Sequence, residues 1–196
     1  MSSTITWRPG DRREKTHAMI RVDQAGEYGA TRIYAGQLAV LGDRHPMARA
    51  ITHMAHQEER HRAFFDRLIA ERGVRPTLFQ PFWNVAGFAL GAVTAAVSPD
   101  AAMACTAAVE TEIDKHYAQQ LVDLGDDDPE LSAAIADFQA EELEHRDHAL
   151  AAGVAAGVGP PIEAGSGRLA TVGARCCAAP ASGKAARSSA AARRIA

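Results

Sequence analysis

Cysteine is scarce in this sequence: Cys105 and the adjacent pair Cys176 and Cys177 are the only three in 196 residues. Thiols so placed build neither a disulfide framework nor two metal-binding CxxC pairs, so a reducing compartment is expected. A strong charge of one sign is lacking too. With a formal net charge of −3 and no concentrated basic face, the chain is not expected to bind nucleic acid. The opening MSSTITWRPGDRREK has no apolar core that could act as a secretory signal, and the chain is expected to start there and remain in the cytoplasm. Sustained strand alternation bounded by hairpin turns is missing as well, which leaves an all-α architecture.

What is present is helical periodicity with short breaks. The breaks GDRHP at 42–46, RGVRP at 72–76, SPD at 98–100 and GDDDP at 125–129 join Gly or Pro to capping Asp or Ser. Helices are expected at 12–41, 46–71, 79–97, 100–124 and 129–152. A chain of this length suits one domain with or without a tail. Residues 1–156 read as that domain. From Gly157 to Ala196 the composition turns to Ala, Gly, Ser, Pro and Arg, and beyond Ile162 the only large aliphatics are Leu169, Val172 and Ile195. Such a tail buries too little apolar surface to offset chain ordering, and weak order is expected there.

Residues 78–97, LFQPFWNVAGFALGAVTAAV, carry no charged side chain. A bilayer span needs about 20 apolar residues, and Gln80, Pro81, Asn84 and two glycines make this a poor one. Two readings follow: a buried crossover helix of a bundle, or a helix at the membrane interface with Phe79, Phe82, Trp83 and Phe88 dipping into lipid.

The chemistry lies in two Glu-x-x-His pairs. Glu58 and His61 continue the stripe Ile51, Met54, Phe65 and Leu68; Glu142 and His145 continue Leu131, Ile135 and Phe138. Residues three or four apart share a helix face, so both pairs take positions where a core residue belongs. Glu141, Glu144 and Asp147 fall off the stripe and read as solvated surface. On the first helix Glu27 aligns with Ile20, Tyr34, Leu38 and Leu41, and on the fourth Glu110 aligns with Met103, Ile113, Tyr117 and Leu121. Glu27 precedes Glu58 by 31 residues and Glu110 precedes Glu142 by 32. The chain therefore holds two functionally equivalent helix hairpins.

Four ionised carboxylates in a bundle core would repel, each with a desolvation cost of several kcal/mol. Two divalent cations would balance Glu27, Glu58, Glu110 and Glu142, with His61 and His145 as nitrogen donors. Oxygen and imidazole ligation suits iron or manganese. One Glu from each of two helices and a Glu-x-x-His from each of the other two is the constellation of ferritin-like dimetal proteins. The fold expected is a ferritin-like four-helix bundle with an additional apolar crossover or interfacial helix. Tyr117 is the candidate catalytic residue just outside the ligands. Tyr34 reads as core packing, Cys105 as a small core residue, and His53, His56, His116 and His148 as surface or supporting histidines.

The segments RVDQAGEYGATRIYAGQLAVL, HQEERH, PFWNVAGFALGAVTA, ACTAAVETEIDKHYAQQ and EELEHRDHA resemble the demethoxyubiquinone hydroxylase family over about residues 18–150. The resemblance implies a di-iron monooxygenase of ubiquinone biosynthesis in which Glu27, Glu58, His61, Glu110, Glu142 and His145 hold two iron ions, Glu58 and Glu142 bridging. It implies a polyprenylated methoxy-methyl-benzoquinol substrate, O2, and an electron donor such as NADH. It also implies the membrane surface as a partner, with a second copy of the chain or a ubiquinone-biosynthesis complex. The location expected is cytoplasmic, peripheral to the inner face of the cell membrane. Such proteins generally end in a helix with larger apolar residues, and the tail at 157–196 departs from that. The competing functions are another ferritin-like dimetal protein, for iron storage or peroxide scavenging, and a catalytically impaired assembly partner.

Overall fold

A computed structural model of the chain describes residues 12–155. The expectation of a weakly ordered tail at 157–196, and Cys176 and Cys177 with it, lies outside the described residues. Five helices follow one another: α1 (Arg12–Leu41), α2 (Ala48–Arg72), α3 (Gln80–Val97), α4 (Pro99–Leu124) and α5 (Pro129–Ala155). The architecture is ferritin-like, with α1, α2, α4 and α5 forming the four-helix bundle and α3 lying against α1 and α4.

Helix ends fall where the punctuation predicts. Gly73 takes the left-handed conformation at φ 63° and its N–H closes on the Ile69 carbonyl, ending α2. Ser98 accepts a hydrogen bond from the Ala101 N–H and opens α4. The start of α2 differs from the expected residue 46. His45 N–H bonds the Gly42 carbonyl and Ala48 N–H bonds the His45 carbonyl, so the segment stays in tight turns until Ala48.

Two apolar clusters fill the bundle. One holds Ile20, Phe65, Leu68, Val74, Tyr117, Leu124, Leu131, Ile135 and Phe138. The other holds Tyr34, Ile51, Met54, Ala95, Ala102, Met103, Ala107 and Ala149. On α2, α4 and α5 the proposed ligands fall in sequence between the residues of one cluster and those of the other, which closes the bundle's middle from both ends.

The α1–α3 contact relies on small residues. A methyl group at Gly91 would overlap the Ile33 carbonyl oxygen, and one at Gly36 the Phe88 carbonyl oxygen. Gly87, Gly91 and Ala95 are the buried residues of α3. Its other side and the turn before it are open: Leu78 (88% exposed), Phe79 (69%), Phe82, Val85, Val93 and Val97 all face solvent. The buried-crossover reading therefore describes only one face. Phe88 departs from the expected outward set, being half-buried with the Arg32 guanidinium 5.2 Å from its ring centre. Trp83 is half-buried and meets Phe82 edge-on. No helix among the described residues is long and apolar enough to cross a membrane.

Candidate metal centre

Each bundle helix delivers carboxylate to the same depth. On α2 the fully buried residues run Ile51, Met54, Glu58, His61, Phe65 and Leu68, the stripe read from spacing. On α5 Leu131, Ile135, Phe138, Glu142 and His145 are buried, as are Glu27 on α1 and Glu110 on α4. All six sequence-predicted ligands thus converge.

Two overlapping groups form. Glu27, Glu58, His61 and Glu142 offer ligand atoms within 4.8 Å of one another, and so do Glu58, Glu110, Glu142 and His145. Glu58 and Glu142 belong to both. His61 Nδ1 stands 3.1 Å from Glu142 Oε1, 3.7 Å from Glu27 Oε2 and 3.8 Å from Glu58 Oε2. His145 Nδ1 stands 3.3 Å from both Glu58 Oε1 and Glu142 Oε2.

Despite this proximity, eight buried atoms of these residues make no hydrogen bond: Glu27 Oε2, both oxygens of Glu58, His61 Nδ1, Glu110 Oε2, both oxygens of Glu142, and His145 Nδ1. Leaving a buried polar atom unpaired costs about 1–3 kcal/mol, more for a charged group. So many orphans on six neighbouring side chains mark a site built for a ligand that would satisfy them. Six carboxylate oxygens and two ring nitrogens are a donor set that fits two divalent cations of the iron or manganese kind. Each of the two groups could hold one.

The electrostatics point the same way. Burial, and then the charge of Glu58, push the Glu27 carboxyl well above the usual carboxylate range. Burial, and then Glu142 and Glu58, do the same to Glu110. Burial opposes ionisation of Glu58 as well, but the His145 and His61 imidazoles outweigh it and lower its pKa. Burial likewise opposes charge on His145, yet Glu142 and Glu58 raise it to about 9. Glu27 and Glu110 thus favour their protonated forms and His145 its charged form, protons that bound cations would replace.

The outer atoms of these candidate ligands are held by neighbours. Tyr34 O–H donates to Glu110 Oε1 at 2.6 Å, and Tyr117 O–H donates to Glu27 Oε1. Each tyrosine on one helix thereby fixes the lone glutamate of the other and leaves its Oε2 facing inward. Tyr117 lies beside the ligands as expected, but it meets Glu27, not the Glu110 of its own helix. Tyr34 is more than core packing. His145 Nε2 lies 3.0 Å from Gln57 Oε1, and His61 Nε2 lies 3.0 Å from Glu141 Oε2. Glu141 is therefore a correction. It is half-buried and meets the His61 ring, whereas Glu144 and Asp147 are exposed as expected.

Further buried polar residues escaped the sequence reading. Gln37 Nε2 donates to Thr106 Oγ1 at 3.2 Å, and Gln120 Nε2 donates to the buried Asp23 at 2.6 Å. The exposed His116 reaches Asp23 at 3.4 Å, while His53, His56 and His148 are exposed. A signal was available: Asp23, Glu27, Tyr34 and Gln37 precede Thr106, Glu110, Tyr117 and Gln120 by a constant 83 residues.

Comparison with known proteins decides the family. The family profile described as ubiquinone biosynthesis protein COQ7 matches residues 14–166. The chain belongs to this family. It is 54% identical over 147 residues to the 3-demethoxyubiquinol 3-hydroxylase of Rhodospirillum rubrum, covering 75% of this chain and 69% of that one. It is 52% identical to the NADPH-dependent 3-demethoxyubiquinone 3-hydroxylase of Dictyostelium discoideum, covering 68% and 63%. The 5-demethoxyubiquinone hydroxylase of Saccharomyces cerevisiae is 44% identical, covering 67% and 64%. The match thus spans less than two thirds of the latter two relatives' lengths.

Proposed function

We propose that this chain is a di-iron monooxygenase of ubiquinone biosynthesis, hydroxylating the ring of a polyprenylated methoxy-methyl-benzoquinol (a demethoxyubiquinol) with O2. The observation that carries the reading is the set of eight unpaired buried donor atoms on Glu27, Glu58, His61, Glu110, Glu142 and His145, in a member of the COQ7 family. Glu27 and His61 would hold one iron and Glu110 and His145 the other, with Glu58 and Glu142, which belong to both groups, shared between them. A bound ferrous pair would supply two electrons which, with two protons, reduce one atom of O2 to water as the other enters the ring as the hydroxyl oxygen.

The residues of the chain supply position and environment. Tyr34 and Tyr117 restrain Glu110 and Glu27 through their Oε1 atoms, while Glu58 and Glu142, free of hydrogen bonds at both oxygens, can change their mode of binding as charge changes. The apolar clusters on either side keep water from the centre. The open apolar face of α3 suits a substrate whose prenyl tail lies in lipid, and holds the protein at the membrane surface. Electrons come from a reduced nicotinamide: the family resemblance implies a donor such as NADH, and the Dictyostelium relative is named for NADPH.

Three measurements test this. Loaded anaerobically, the chain should hold about two irons, and turnover under labelled O2 should put the label into the new ring hydroxyl. Label arriving from water would remove the monooxygenase. A strain lacking the activity should accumulate the demethoxy quinone and lose it when this chain is supplied.

A further inference from the structure

The two hairpins repeat the same site residues. Glu27, Tyr34 and Gln37 match Glu110, Tyr117 and Gln120 at a shift of 83, and Glu58 and His61 match Glu142 and His145 at a shift of 84. At the position that touches each histidine from behind, the repeat breaks: Gln57 stands where the second hairpin has Glu141.

Each of these residues crosses to the histidine of the other helix, and the two also meet. Gln57 Nε2 donates to Glu141 Oε2 at 2.9 Å, Gln57 Oε1 faces His145 Nε2 at 3.0 Å, and Glu141 Oε2 faces His61 Nε2 at 3.0 Å. A chain therefore runs His145, Gln57, Glu141, His61. A carboxylate has no donor, so His61 Nε2 carries the proton. Gln57 must turn its amide nitrogen toward Glu141, so its oxygen faces His145, whose Nε2 carries the proton in turn. One carboxylate thus fixes both tautomers and leaves both Nδ1 atoms for the metals.

The support is unequal. His61 donates to a carboxylate and His145 to a neutral amide. An anionic acceptor makes the stronger hydrogen bond and a more basic imidazole. Arg60 NH2 contacts both Glu141 oxygens, at 2.9 and 2.8 Å, but it is 59% exposed and its charge is screened by solvent.

From the geometry we infer that Glu141 is a positioning residue that makes the two metal positions unequal, so that the Glu27–His61 position binds a divalent cation more tightly and fills first. The inference rests on the dimetal centre proposed above and goes beyond it.

The test uses Mn(II) alone with the metal-free full chain, read by titration calorimetry and by anomalous diffraction from crystals given one equivalent. Two binding steps about 10-fold or more apart are expected, in keeping with the roughly 10–100-fold effect of such supporting groups, with the first ion beside His61. Glu141→Gln should weaken the tight step about 10–100-fold and leave the two steps nearly equal. The exchange Gln57→Glu with Glu141→Gln should send the first ion beside His145. Equal affinities in the parent chain, or a first ion beside His145, overturn the inference without any variant. So does an exchange variant that keeps the original order, which is what a merely structural role would give. Failure to bind Mn(II) at all would remove the dimetal centre and this inference together; two equal sites would remove only the inference.

Discussion

The middle of the bundle and the outer face of α3 break the inside–outside rule in opposite directions. In the bundle, four glutamates and two histidines are buried. On α3 and the turn before it, six large apolar residues lie exposed. Buried charge and exposed apolar surface are the informative departures in a folded chain, and here they are built on different helices. α3 contributes no ligand, and the bundle helices have only Val40 and Val122 as exposed large apolar residues among those described. The difference teaches that the proposed metal chemistry and the proposed lipid contact rest on separate elements, and substitutions in one region should leave the other's measurement alone.

The largest expected effect is on the metal. Glu142 belongs to both ligand groups, so Glu142→Ala should take iron content from about two per chain toward zero, while Glu27→Ala, in one group only, should retain about one. Glu144→Ala should change nothing, and none of the three should alter liposome binding. Equal iron loss in all three would sink the register of α5.

Next comes lipid. Replacing Phe79 and Phe82 by Ser should lower partition onto liposomes at least about 10-fold, since burying one large apolar side chain is worth about 1.5–3 kcal/mol. Iron content should stay at the parental value. Parental liposome binding would show that this face meets something other than lipid.

How much of this could be read from sequence depends on which physical signal each residue carries. The six proposed ligands were legible because they occupy an apolar stripe at spacings of three and four, where a charged side chain is conspicuous. Glu141 was not, because it stands one position off that stripe, and a single-helix wheel assigns such a position to solvent. Between two packed helices the flank of the stripe is only half-exposed, and there Glu141 reaches His61 of the facing helix. Tyr34 failed differently: a tyrosine on an apolar stripe looks like packing, and its hydroxyl partner Glu110 is 76 residues away. In the sequence the glycines of α3 read only as a weakness in a membrane span. In the structure Gly91 admits the α1 backbone, an effect with no trace in periodicity.

That close approach sharpens the comparison from the structural side. Gly91→Leu sets a side chain against the Ile33 backbone, which cannot rotate away, so the loss should reach the top of the ~1–3 kcal/mol range for overpacking. At ~2–4 °C per kcal/mol, Tm should fall by about 6–12 °C. Iron content of the folded fraction should remain near parental, because every proposed ligand lies on other helices. If iron falls in step with Tm, α3 supports the centre and the two regions are not separable.

The smallest effect, and the one that ties charge to fold, is the pH dependence of the metal-free chain. His145 holds its proton to about pH 9 in the folded chain, because Glu142 and Glu58 outweigh the burial that opposes its charge. An unfolded histidine releases its proton at about pH 6.5. Its contribution to stability is therefore complete below about 6.5 and is lost as pH rises through about 9. Glu27 and Glu110, raised first by burial, retain protons that the unfolded chain gives up, which pushes in the same direction. Tm of the metal-free chain should fall steadily from pH 6.5 to 9.5. Once cations replace those protons, binding competes less with protonation as pH rises, so Tm of the iron-loaded chain should hold or climb over the same interval. The Phe79 and Phe82 double variant should show the same pair of slopes, since neither ring touches a titrating ligand. Parallel slopes with and without iron would mean that protons do not stand in for metal in this core.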